Sequence, residues 1–112
     1  METQNLLTEI DGLLADMKAK DVQVLDVRGL SSVTDYMVIA SATSTRHVKA
    51  VADHLTEQMK RRGTQPLGVE GQEASEWVLV DLGDVVVHVM QPQARAFYDL
   101  ERLWARPEGA VQ

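Results

Sequence analysis

The residues best suited to chemistry are few and loosely spaced. Asp81 and Asp84 flank Leu82-Gly83, and His88 follows on the next β-rich segment. Two carboxylates with an imidazole suggest a metal pair, but hard cations need several converging oxygens, and aspartates at turns are common without any metal. His47 and His54 fall on similar faces of one helical stretch, yet lack a third ligand at convincing spacing. Ser41, Thr43 and Ser44 are the candidate nucleophiles. No strained elbow motif surrounds them, and a helix cap explains Ser44 better. Arg46 and His47 at a helix start could hold an anion, although a solvated first turn is the simpler reading. There is no Walker A pattern and no Gly-x-Gly-x-x-Gly. No catalytic residue, cofactor-binding residue or metal ligand is therefore nominated, and no cofactor is expected.

What stands out instead is a binding surface. If Asp81-Leu82-Gly83-Asp84 links two strands so that Val80 lies opposite Val85, then Leu79 faces Val86 and Trp77 faces His88. Trp77, Leu79, Asp81, Asp84, Val86, His88 and Met90 then share one face. Val78, Val80, Val85, Val87 and Val89 share the other, which is uniformly apolar and must meet the core. A three-residue loop would shift this register. One reading makes Trp77 a core aromatic and the two aspartates turn caps. The other makes the face a docking patch, with Trp77 and Met90 at its apolar centre, acidic groups at its rim and a histidine able to hydrogen-bond. Leu82 in the turn, and Arg95 and Tyr98 in the last helix, complete the candidate partner-binding set.

The elements that must position these residues follow from hydrophobic periodicity. Leu6, Leu7, Ile10, Leu13, Leu14 and Met17 predict an amphipathic helix over residues 4–20, with Lys18 and Lys20 suiting its end. Residues 22–27 read as a strand. The unbroken apolar run 36–40 reads as a strand covered on both faces and placed centrally. Ser44 caps a helix burying Val48, Val51, Ala52, Leu55 and Met59, and Lys60-Arg61-Arg62-Gly63 ends it. Residues 66–70 can form a short strand, 71–76 a polar loop, and 77–80 and 85–90 two more strands. Pro92 opens a last helix bearing Phe97, Leu100, Leu103 and Trp104, which Pro107 should stop before a loose tail at 105–112. The order αββαβββα predicts a single α/β domain spanning residues 1–112, a mixed sheet of about five strands with helices packed on it.

Charge narrows the partners. Eleven Lys and Arg against seventeen Asp and Glu give a net charge of −6, which repels a phosphate backbone and favours a basic protein surface. Direct sequence-specific nucleic-acid binding is thus not expected. Cysteine is absent, which removes disulfides, thiol nucleophiles and thiolate metal sites. Residues 1–5 carry no basic region before a hydrophobic core, and no apolar run reaches the ~20 residues of a membrane span. A cytoplasmic protein with no membrane association is the expectation.

Longer stretches carry a resemblance. Thr34-Asp35-Tyr36-Met37-Val38-Ile39-Ala40-Ser41, Ser44-Thr45-Arg46-His47-Val48 and Ala52-Asp53-His54 resemble the ribosomal silencing factor family, also called Iojap-like. Gly68-Val69-Glu70-Gly71, the run from Trp77 through Asp81-Leu82-Gly83-Asp84 to Val89, and Arg95 with Tyr98 to Trp104 match it in order. The resemblance spans nearly the whole chain. It implies a factor that binds the fourteenth protein of the large ribosomal subunit, blocks joining of the small subunit and represses translation when nutrients are limiting. It also allows a homodimer off the ribosome, and it implies a nucleotidyltransferase-like fold. A metal-dependent nucleotidyltransferase is therefore the alternative, but Ala42-Thr43-Ser44 and Asp81-Leu82-Gly83-Asp84 do not supply that superfamily's Gly-Ser helix start or its alternating carboxylates. Chelator should accordingly leave both the melting temperature and ribosome binding unchanged, and a reproducible drop in melting temperature would restore the metal reading.

Overall fold

The structure is a computed structural model that describes residues 2–104. The expected stop at Pro107 and the tail at 105–112 lie outside the described residues. The first apolar stripe forms α1 (Thr3–Asp16), burying Leu6, Ile10, Leu13 and Leu14. The helix ends earlier than the periodicity predicts. Lys18 adopts a left-handed φ of 61°, and the Ala19 N–H reaches back to the Leu14 carbonyl. That closing turn satisfies a terminal carbonyl and redirects the chain into β1 (Lys20–Asp26).

β2 (Tyr36–Ser41) follows, and then α2 (Thr45–Arg61), whose buried face is the expected Val48, Val51, Ala52, Leu55 and Met59. Ser44 is its N-cap: the side-chain oxygen accepts from the His47 backbone N–H at 3.1 Å. Gly63, at φ 85°, lets the Thr64 N–H close back on the Met59 carbonyl. β3 (Gly68–Glu70) is shorter than expected, and β4 (Trp77–Asp81) and β5 (Val85–Met90) form the hairpin. α3 (Pro92–Tyr98) and α4 (Leu100–Trp104) replace the single last helix, because Asp99 between them turns left-handed at φ 50°. This break resets the helical phase. Phe97 and Leu103, expected on one face with Leu100 and Trp104, are exposed instead, while Leu100 is buried and Trp104 half-buried.

The five strands lie in the order β1-β2-β5-β4-β3. β2 and β5 run parallel, whereas β1–β2, β5–β4 and β4–β3 are antiparallel, so the sheet is mixed as expected. β2 is interior as expected, paired with both β1 and β5 and buried from Met37 to Ser41, and β5 beside it is the middle strand of the five, buried at every position. One sheet face carries Val38, Ala40, Val78, Val80, Val85, Val87 and Val89 into a core with α1 and α2. The opposite face has its own smaller cluster of Val27, Met37, Ile39, Met90, Ala94 and Leu100 beneath α3 and α4.

The hairpin register differs from expectation. Trp77 lies opposite Met90, Leu79 opposite His88, Val80 opposite Val87 and Asp81 opposite Val86. Pairing runs on to Leu82, whose N–H bonds the Val85 carbonyl, so only Gly83 and Asp84 turn the chain, with Gly83 at φ 89°. The shift is an even number of residues, and the strand period is two, so the strand side chains keep their expected faces, whereas Asp84, now in the turn, leans toward α1 instead of joining Trp77 and Asp81. Since the Ser44 cap alone satisfies one of the first-turn donors of α2, Ser44→Ala should cost ~1 kcal/mol of stability in urea denaturation. An unchanged midpoint would show that the α2 terminus does not depend on this cap.

Candidate functional site

Trp77 begins β4, and the chain before it is tied down by backbone contacts. The Gln91 N–H donates to the Glu76 carbonyl at 3.0 Å, and the Ser75 N–H to the Gly71 carbonyl at 3.0 Å. Gly71 has φ 89°, and a Cβ there would collide with the Trp77 carbonyl oxygen, so only glycine permits this close approach. The Trp77 side chain is held from two sides. Its Nε1–H donates to His88 Nδ1 at 2.9 Å, and the Tyr98 ring lies 4.7 Å from it, centroid to centroid, at a 46° tilt. Phe97 meets Tyr98 edge-on at 5.0 Å. Trp77 is half-buried, Tyr98 is 48% exposed and Phe97 is 81% exposed.

Arg95 sets where Tyr98 stands. Its Nε and Nη2 donate to the two oxygens of Glu101 at 3.0 and 2.8 Å, and its Nη1 donates to Ser41 Oγ at 2.8 Å. One guanidinium thus joins α3 to α4 and both to the end of β2, in the two-pronged geometry that suits a carboxylate. The hydrogen bonds from Arg95 hold the Glu101 carboxyl below its ordinary value. Tyr98 lies one helical turn beyond Arg95 and is carried onto Trp77.

Open depressions flank the aromatic pair. Glu70, Gly71, Trp77 and Leu79 line one of about 220 Å³, and Tyr98, Asp99, Arg102 and Leu103 line one of about 450 Å³. Glu70, Asp81 and Asp99 put carboxylates around this surface.

The structure brings together part of the sequence-derived set. Trp77, Leu79 and Asp81 share the expected face and are half-exposed, and Tyr98 joins them from α3. Val86, His88 and Met90 lie on that same face but are buried, because β5 is the middle strand and α3 and α4 pack over its end. Leu82 points the other way, into the core with α1 and α2. Asp84 leans toward α1, accepting from the Thr3 hydroxyl at 3.3 Å, and Asp81 accepts the Gly83 N–H at 2.9 Å. Arg95 is 11% exposed, with its donors already used inside the molecule. Sequence reasoning missed Glu70, Gly71, Phe97 and Asp99 as site residues. The only signal was the glycine at position 71; the Arg95–Glu101 separation matches no intrahelical contact, so it could be read only after the break at Asp99 was known.

The other chemical candidates are used in bracing. The Thr43 backbone N–H donates to His47 Nδ1 at 3.0 Å, which puts the ring proton on Nε2, and Nε2 donates to the Met17 carbonyl at 2.7 Å. His47 therefore ties the start of α2 to the end of α1. His54 Nε2 lies 3.6 Å from Asp16, Ser41 accepts from Arg95, and Arg46 is exposed. Among the described residues no three of His, Cys, Asp and Glu gather in a way that could hold a metal ion, and no helix is long and apolar enough to cross a membrane.

The fold and site define an α/β domain with a tilted, packed aromatic pair on a partly covered, acid-rimmed sheet face. The family model described as ribosomal silencing factor during starvation matches residues 1–111. The chain belongs to the ribosomal silencing factor family. It is 46% identical over 100 residues to ribosomal silencing factor RsfS of Haemophilus influenzae, covering 89% of this chain and 94% of that protein. The crystal structure of a Chromobacterium violaceum protein superposes with a TM-score of 0.90 at 44% identity, covering 100% of this chain and 95% of that one. A mouse protein named mitochondrial assembly of ribosomal large subunit protein 1 is 40% identical over 95 residues, which cover 82% of this chain and 42% of its own length.

Burial pushes the His88 imidazole from its ordinary 6.5 down to about 4. Between those values the unfolded chain binds a proton that the folded one does not, so stability is full above pH 6.5 and falls as pH drops toward 4. The shift corresponds to about 3 kcal/mol. Urea denaturation of the wild type and of His88→Leu at pH 7 and pH 4.5 isolates this effect, since the carboxylates titrate in both. The wild type should lose more stability on acidification. Equal losses would mean that His88 titrates as a solvated histidine.

Proposed function

We propose that this protein binds the fourteenth protein of the large ribosomal subunit, blocks joining of the small subunit and so represses translation under nutrient limitation. The observation that carries the docking surface is the Trp77–Tyr98 pair, packed ring against ring at a tilt yet still open to solvent on a sheet face. Large aromatics at the centre of a patch, with polar groups around them, are what interface hot spots are made of. The docking surface runs from Leu79 and Trp77 across Tyr98, with Phe97 beyond it and Glu70, Asp81 and Asp99 at the rim. Val86, His88 and Met90 support it from beneath. Leu82 and Arg95 act through the packing they provide, not by touching the partner.

Family membership supports a ribosomal partner, and the mouse relative's name mentions the large ribosomal subunit. The net charge of −6 supports a basic protein as the contact rather than rRNA, because like charge repels phosphate while opposite charge speeds encounter. On this reading the protein acts by occupying a surface and catalyses nothing. Its place of action is the cytoplasm, where subunits join, and off the ribosome it can form a homodimer.

Co-sedimentation with separated ribosomal subunits tests the reading directly, with enrichment on the large subunit as the expected outcome. Trp77→Ala should cost at least ~2 kcal/mol of binding, whereas a purely structural Trp would show its loss mainly in folding, at ~3 to 5 kcal/mol. Asp81→Lys and Asp84→Lys should stay folded while slowing association with a basic partner, and Asp81→Lys should do so more, because Asp84 leans toward α1. Normal binding by all three folded variants would move the docking face elsewhere.

A further inference from the structure

His88 is an unexpected residue at its position. It occupies the middle strand of the sheet between Val87 and Val89, lies opposite Leu79 on β4 and beside Ile39 on β2, and is only 6% exposed. Its Nδ1 accepts the Trp77 indole proton, so the ring's own proton sits on Nε2. That Nε2 is buried and has no hydrogen-bond partner among the described residues. A buried donor left unpaired is a cost to folding, and an apolar side chain in this surrounding would avoid it. What the imidazole supplies, and an aliphatic side chain cannot, is an acceptor aimed at Trp77.

The geometry gives that acceptor a defined task. His88 is the diagonal neighbour of Trp77 across the β4–β5 pair, and its ring lies 5.8 Å from the indole at a 40° tilt. Tyr98 packs against the indole, but ring packing alone tolerates sliding and tilting of the partners. A hydrogen bond to a nitrogen in the middle strand of the sheet fixes which edge of the indole faces inward and which faces out. The acceptor itself cannot drift, because β5 is paired on both sides. Pre-setting a rigid aromatic in its bound orientation reduces the ordering lost on association.

We propose that His88 is a positioning residue for recognition: it never touches the partner, but it locks Trp77 in the orientation that the large ribosomal subunit meets. The proposal rests on the reading that Trp77 docks. It makes the strength of docking depend on the chemistry of a buried side chain and not only on the exposed surface.

The test compares His88→Leu, which removes the acceptor, with His88→Asn, whose amide oxygen can take the place of Nδ1. His88→Val serves in the same way as His88→Leu should leucine prove too large. Each variant is melted, its Trp77 indole N–H resonance is followed by nitrogen-15 NMR and assigned by its loss in Trp77→Phe, and its affinity for purified large subunits is measured. His88→Leu removes the orphaned Nε2 proton but strands the indole N–H, so it should melt close to the wild-type temperature. Its indole resonance should move and exchange faster with solvent, and affinity should fall about tenfold, the equivalent of ~1.4 kcal/mol. His88→Asn should recover affinity to within about threefold of wild type. Wild-type affinity in a folded His88→Leu or His88→Val variant overturns the proposal, as does a His88→Asn variant that binds as weakly as His88→Leu. Trp77→Ala separates the two levels: its normal binding overturns the docking reading and the positioning role with it. Weakened Trp77→Ala binding beside undiminished His88→Leu binding overturns the positioning role alone.

Discussion

Strand β5 is buried along its whole length, and most of the architecture follows from having to cover both of its faces. A strand in that position needs hydrogen-bonding neighbours on two edges and packed layers above and below. β2 and β4 supply the edges, one parallel and one antiparallel. Val85, Val87 and Val89 meet the long helices α1 and α2, which are enough to close that side. Val86, His88 and Met90 face the other way, where the helices among the described residues are the short α3 and α4. Two short helices cannot span a five-stranded sheet. They cover the end of β5 carrying Met90 and leave Trp77 and Leu79 on β4 half-exposed. The candidate site is the part of the second face that this layer does not reach.

The shape of that second layer is decided by one charged side chain and one backbone conformation. Asp99 in the left-handed region breaks what would have been a continuous helix, a conformation that aspartate tolerates better than most residues. The break folds Glu101 back onto Arg95, and the paired guanidinium reaches Ser41 at the end of β2. A cation so little exposed would be costly alone; with a two-pronged carboxylate and a hydroxyl its donors are well satisfied. The consequence at the surface is the position of Tyr98 against Trp77. Packing on one side and polar bonding on the other thus converge on the same indole, Tyr98 from the helix layer and His88 from the sheet.

Much of this was legible beforehand because it depends on local periodicity. The stripe Val48, Val51, Ala52, Leu55 and Met59, bounded by Ser44 and Gly63, specified α2 with its cap and its stop. Alternation along 77–90 separated Val78, Val80, Val87 and Val89 from Trp77, Leu79, His88 and Met90. That partition held even though the register moved, because a slip of two residues keeps every side chain on its own face. The end of α1 and the break at Asp99 were not legible. Each depends on a non-glycine residue adopting positive φ, which local propensity does not favour and which the surrounding packing imposes.

Sequence by itself determined the α/β class, the five strands, the two faces of the hairpin, the acidic charge and the family resemblance. All of these are properties of residue type and spacing. Only the tertiary structure decided that β5 lies inside the sheet beside β2, and so that His88 and Met90 lie beneath the surface rather than on it. It also decided that Arg95 points inward to Glu101 and Ser41, that Leu82 joins the opposite core, and that Tyr98 packs against Trp77. The reason is physical. Burial and pairing between elements depend on which segments meet in space, and strand order, helix breaks and long-range hydrogen bonds leave no periodic trace along the chain.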